Sequence, residues 1–166
     1  MGLERKIGAL LAAGGRTVST AESCTGGLIA ERISSVPGSS RYFAGGVVAY
    51  ANAVKERQLG VSADALRRHG AVSAPVARQM ALGVRGRLRT DFGIGVTGIA
   101  GPAGGTRSKP VGLVYVAVAG PAACRVRKCC FAGGRAGIRK ASAETALEML
   151  EKELQEQGVK HGKEDR

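Results

Sequence analysis

Apolar positions along the chain switch between a spacing near 3.6 and a spacing of two, and the switches predict an ordered series of helices and strands. Helical spacing runs from Glu4 to Ala13, and the segment Thr17 to Ala21, rich in β-branched residues, reads as a short strand. Leu28, Ile29, Arg32 and Ile33 restore helical spacing, giving a helix from about Gly27 to Ser34 that stops before Pro37-Gly38. Tyr42 to Tyr50 is the next strand. A helix over Asn52 to Leu59 leads through a helical stretch from Ala63 to Arg68, and Ser73 with Pro75 starts another that reaches Leu88. Phe92 to Thr97 is a short apolar strand, followed by the loop Gly98 to Lys109, whose glycine and proline content excludes regular structure. Val111 to Ala119 and Cys124 to Phe131 form a strand pair turning at Gly120-Pro121, and Ala136 to Leu154 a final helix. The alternation predicts one α/β domain over residues 1–155, its largely parallel sheet covered on both faces, with residues 156–166 as a flexible charged tail.

At 166 residues the chain can bury about 70% of its unfolded surface and fold without staples. Its net charge of +12 suits an anionic partner such as a nucleotide or nucleic acid, or a basic solubilising surface. The four cysteines, Cys24, Cys124, Cys129 and Cys130, lack CxxC spacing, which leaves reduced thiols as the expectation. No apolar run approaches the ~20 residues needed to span a bilayer. The opening MGLERKIGALLAAGG reads as an amphipathic helix, so a soluble cytoplasmic protein without membrane contact is expected.

Candidate chemistry centres on Thr17 to Gly27, TVSTAESCTGG, which places Ser23 and Cys24 where a strand turns sharply into a helix. Gly26 and Gly27 let a substrate approach the backbone, and the amides of Thr25, Gly26 and Gly27 are candidate donors to an oxyanion. A Ser-His-Asp triad lacks a convincing imidazole: His161 falls in the expected tail and His69, beside Gly70, reads as a helix-end residue. No HxxxH, HxH or paired-carboxylate spacing suggests a metal, and neither GxxxxGK[ST] nor GxGxxG appears where a nucleotide fold needs it. A desolvated lysine can activate a hydroxyl instead. Lys55 stands out, because parallel neighbouring strands would bring Ser23 and Lys55 to the same edge of the sheet, where open α/β sheets bind ligands.

The series AESCTGG at 21–27, YANAVK at 50–55, HGAVS at 69–73, GVTGIAGPAGG at 95–105 and KPVG at 109–112 closely resembles the CinA C-terminal family. Members include competence/damage-inducible proteins and stand-alone nicotinamide-nucleotide amidohydrolases, which convert nicotinamide mononucleotide to nicotinate mononucleotide and ammonia. The resemblance implies a three-layer α/β/α sandwich with a mixed, mostly parallel sheet, self-association into a homo-oligomer, and a cofactor-independent, metal-free serine amidohydrolase. It makes Ser23 the nucleophile and Lys55 its partner in a Ser-Lys dyad. Tyr50 and Asn52 are placed to orient the amine or the pyridine ring, the alternative for Tyr50 being a buried core residue. Thr97, Gly98 and Gly101 are candidates for backbone contacts to substrate, and Arg135 with Arg139 for the phosphate. Relatives commonly carry aspartate before that arginine, where this chain has Gly134. Many also carry a further N-terminal domain, so the resemblance suggests the stand-alone form. The competing reading is a non-enzymatic adaptor or nucleotide sensor related to competence or DNA damage. Nucleic acid is the less favoured partner, because the chain has no Trp, only three Phe and three Tyr, and scattered basic residues.

Overall fold

The computed structural model describes residues 2–164, with side chains through Gln157. Five strands form one sheet in the order β2-β1-β3-β4-β5. Strand β1 (Val18–Glu22) pairs in parallel with β2 (Phe43–Val48) on one side and β3 (Phe92–Gly98) on the other. Next, β4 (Leu113–Ala119) runs antiparallel to β3, and β5 (Cys124–Cys130) antiparallel to β4. Every strand except β4 therefore points the same way, which makes the sheet mixed and mostly parallel.

Helices cover both faces. On one lie α1 (Leu3–Ala13), α2 (Leu28–Ser34) and α6 (Arg135–Glu164); on the other lie α3 (Asn52–Leu59), α4 (Ala63–His69) and α5 (Ala74–Leu88). The alternation of side chains along β3 explains how the layers differ. Ile94 and Val96 join Ile138, Leu147 and Leu150 in the larger core. Gly93 and Gly95 face α5 instead, so closely that a Cβ would stand 2.3 Å from the Ala81 carbonyl at the first and 2.5 Å from that of Ala77 at the second. Ala117 and Ala119 continue this small-residue face against Ala77 and Ala81. One sheet face thus packs bulky branched side chains, and the other admits a helix backbone directly.

The last helix departs from expectation. It runs on to Glu164, so residues 156–164, read from sequence as a tail, are helical; residues 165 and 166 lie outside the described residues. Spaced four apart, Lys152 and Glu156 pair at 3.9 Å and Gln155 donates to Glu151 at 3.3 Å, which supports helix where apolar periodicity fades. No helix among the described residues is long and apolar enough to cross a membrane.

Candidate active site

Parallel pairing of β1 and β2 brings their C-terminal ends together, and the turn after β1 faces the start of α3 there. In that turn Gly26 (φ +61°) and Gly27 (φ +99°) take left-handed conformations that a side chain would disfavour. The Ser23 amide donates to the Val96 carbonyl at 3.0 Å, fixing the residue to β3. Just before it, the carboxylate of Glu22, 1% exposed, accepts from the amides of Gly27 (3.1 Å), Ile29 (3.1 Å) and Ala30 (2.9 Å).

Lys55 is 1% exposed, yet its amine meets three oxygens: the carbonyls of Ala49 (2.9 Å) and Tyr50 (3.1 Å), and Ser23 Oγ at 3.2 Å. Burial away from water holds this amine below its ordinary value, because the charged form loses hydration. A neutral amine has two hydrogens and one lone pair. With both hydrogens given to the two carbonyls, the lone pair is left for the Ser23 hydroxyl proton. The neighbouring thiol is arranged oppositely: Cys24 belongs to the apolar core, and burial pushes it up from 9.0 to about 11.

A pocket of about 290 Å³ opens at Ser23 and Lys55. Tyr50, Asn52, Thr97, Gly98, Gly101 and Arg135 all line it. Tyr50 is 57% exposed, which removes the alternative of a buried core tyrosine. Its hydroxyl accepts from Arg135 Nη2 (2.8 Å), while Nη1 donates to the Gly101 carbonyl (2.9 Å). With glycine at 134, the guanidinium takes its orientation from these two oxygens. Thr97 is buried and its hydroxyl donates to the Ala71 carbonyl at 2.9 Å, holding the segment before α5 against the pocket.

Other expectations are corrected. The Gly26 amide donates to the Ser23 carbonyl at 3.1 Å and the Gly27 amide to Glu22, so neither is free to stabilise an oxyanion. Among the described residues, no carbonyl or carboxylate accepts from the amides of Cys24 and Thr25, the Cys24 amide touching only its own thiol, and Cys24 lines the pocket. Arg139 does not line the pocket; one helical turn beyond Arg135, it donates from Nη2 to the Thr25 carbonyl at 2.7 Å. His69, read from sequence as a helix-end residue, does end α4; it lies outside the lining, and its carbonyl accepts from Lys109 Nζ. Sequence reasoning missed Glu22, Ala71 and Val72; the acidic residue before Ser23 was the available signal for the first. Among the described residues, no group of three or more His, Cys, Asp or Glu side chains is placed to hold a metal ion.

Residues 1–154 match the family model described as the CinA C-terminal domain. A CinA-like protein of Cyanothece sp. is 55% identical over 150 residues, which is 89% of this chain and 36% of that protein. Another, from Anaeromyxobacter sp., is 55% identical over 142 residues, covering 86% of this chain and 35% of the relative. The chain thus spans about a third of the length of these curated relatives. Among solved structures, the competence/damage inducible protein CihA from Agrobacterium tumefaciens superposes with a TM-score of 0.88 at 45% identity, over 89% of this chain and 91% of that one. A competence-damaged protein (CinA) superfamily protein from Enterobacter cloacae gives 0.88 at 30% identity, over 92% and 90%.

Proposed function

Because the chain belongs to the CinA C-terminal domain family, we propose that it is a nicotinamide mononucleotide deamidase working through a Ser23-Lys55 dyad. The observation that carries this reading is the approach of Lys55 Nζ to Ser23 Oγ at 3.2 Å, with both hydrogens of the neutral amine committed to carbonyls. Ser23 Oγ attacks the carboxamide carbon while Lys55 takes the hydroxyl proton. Negative charge gathers on the amide oxygen, where the amides of Cys24 and Thr25, claimed by no carbonyl or carboxylate, are the available donors. Lys55 then returns its proton to the departing nitrogen, which leaves as ammonia, and the nicotinoyl group remains as an ester on Ser23. Water, deprotonated by Lys55, hydrolyses that ester to nicotinate mononucleotide and regenerates the hydroxyl. Arg135, held at the pocket rim by Tyr50 and Gly101, is the donor for the 5'-phosphate.

The test compares wild type with Ser23→Ala, in EDTA, for ammonia and nicotinate mononucleotide formed from nicotinamide mononucleotide. Release by wild type alone is the expected result. A folded wild type that binds the nucleotide and releases nothing would transfer the reading to a nucleotide sensor or adaptor.

A further inference from the structure

We propose that Glu22 is the positioning residue of the dyad, acting through the backbone of the nucleophile turn and never touching substrate; this rests on the Ser23-Lys55 reading. Glu22 is a buried carboxylate, and among the described residues no Lys, Arg or His side chain pairs with it. An isolated carboxylate is costly to bury unless strong donors replace its water. Its three donors are the backbone amides of Gly27, Ile29 and Ala30, at the opening of α2.

Those contacts set the shape of the turn. By claiming the Gly27 amide, Glu22 fixes the far end of the turn that carries Ser23, and the Cys24 and Thr25 amides are the ones in the turn that no carbonyl or carboxylate claims. The main chain of Glu22 reaches the base as well. Its carbonyl accepts from the Ala49 amide at 2.8 Å, and the Ala49 carbonyl in turn accepts from Lys55 Nζ at 2.9 Å. One residue therefore locates both partners: its side chain holds the nucleophile turn, and its carbonyl holds the strand end on which the amine is anchored. A plain helix cap would support α2 and stop there.

Glu22→Gln tests the difference. The amide has the same shape, but its single carbonyl oxygen can serve only one side of the site, so an NH₂ group must face at least one backbone N–H. The expected result is a kcat lower by about 10- to 100-fold with KM within about twofold, the signature of lost geometry rather than lost binding. Labelling of Ser23 by a fluorophosphonate, followed by intact mass, slows in parallel and needs no substrate. Ser62→Ala is the control for stability alone, since the Ser62 hydroxyl accepts from the Ala65 amide at 3.1 Å and caps α4; it leaves kcat and labelling unchanged. Glu22→Asp, which keeps the charge but shortens its reach, is read in the same way if Glu22→Gln does not fold.

Wild-type kcat and labelling in the Glu22 variants would overturn the proposal, as would an equal loss in Ser62→Ala, or failure of both Glu22 variants to fold. If wild type is not labelled at Ser23, the dyad itself is removed and the role of Glu22 falls with it. If wild type is labelled but leaves nicotinamide mononucleotide intact, the substrate assignment fails and the labelling rates still decide the role of Glu22.

Discussion

Ser23 and Cys24 are adjacent nucleophiles, and the proposed chemistry requires the thiol to be inert. Burial is the largest cause of its rise from 9.0 to about 11; the Glu22 charge adds to it, and a hydrogen bond from its own amide, with the charges of Arg139 and Arg135, only partly opposes it. A rise of this size leaves about 100-fold less thiolate than an ordinary cysteine has at any pH below both values. Access lowers the rate further, because Cys24 is only 5% exposed. The assay is a time course of iodoacetamide labelling near neutral pH, with a free cysteine peptide in the same tube and site occupancy read by peptide mass spectrometry. Cys24 should label at least about 100-fold more slowly than the peptide, and Cys24→Ala should keep its deamidase activity. The reasoning is refuted if Cys24 labels as fast as the peptide and activity disappears in step, while Ser23→Ala still turns over.

Lys55→Met should lower turnover by about 10²- to 10⁴-fold, the range for removing a general base. In wild type, activity should climb with pH as the amine loses its proton, centred below the ordinary lysine value of 10.5; a profile centred at or above that value would exclude the neutral-amine role. Between its depressed value and 10.5 the folded chain binds fewer protons at Lys55 than the unfolded chain does. Stability from this group therefore rises with pH through that window, and urea midpoints of Lys55→Met should lack the slope. Gly95→Ala drives a Cβ to within 2.6 Å of both the Ala77 carbonyl and the Ala81 amide, backbone atoms that cannot turn aside. A loss of about 1–3 kcal/mol, several degrees in Tm, is expected by calorimetry. Tyr50→Phe takes away an acceptor of Arg135, and steady-state kinetics should show KM raised about two- to tenfold with a smaller change in kcat.

The meeting of Ser23 and Lys55 was legible because it follows from topology. Parallel neighbours deliver their C-terminal ends to one edge, so a serine after β1 and a lysine shortly after β2 meet without knowledge of any side-chain angle. Which amides are open to an oxyanion was not legible, since sequence marks which amides open a helix but not which of them another residue has claimed. Glu22 claims three. Arg135 and Arg139 look equivalent in the sequence, four residues apart on one helix, yet one turn of rise moves the second from the pocket to the Thr25 carbonyl. The end of α6 was misread for a different reason: beyond Leu154 its support comes from polar pairs such as Lys152 with Glu156, which carry no apolar period.

The two halves of the proposed dyad stand on unequal ground. Ser23 follows a strand with a neighbour on each side, whereas Lys55 follows β2, one of the two edge strands of the sheet. Outer strands open more readily than interior ones. A local opening of β2 and α3 therefore withdraws the amine while the hydroxyl stays in its folded setting, so the proposed chemistry would fail before the domain unfolds. Under the proposed function, the rate of this site would be tied to the stability of one edge of the sheet, and a substitution far from the pocket that loosens that edge would act as a catalytic lesion in a protein that still looks intact.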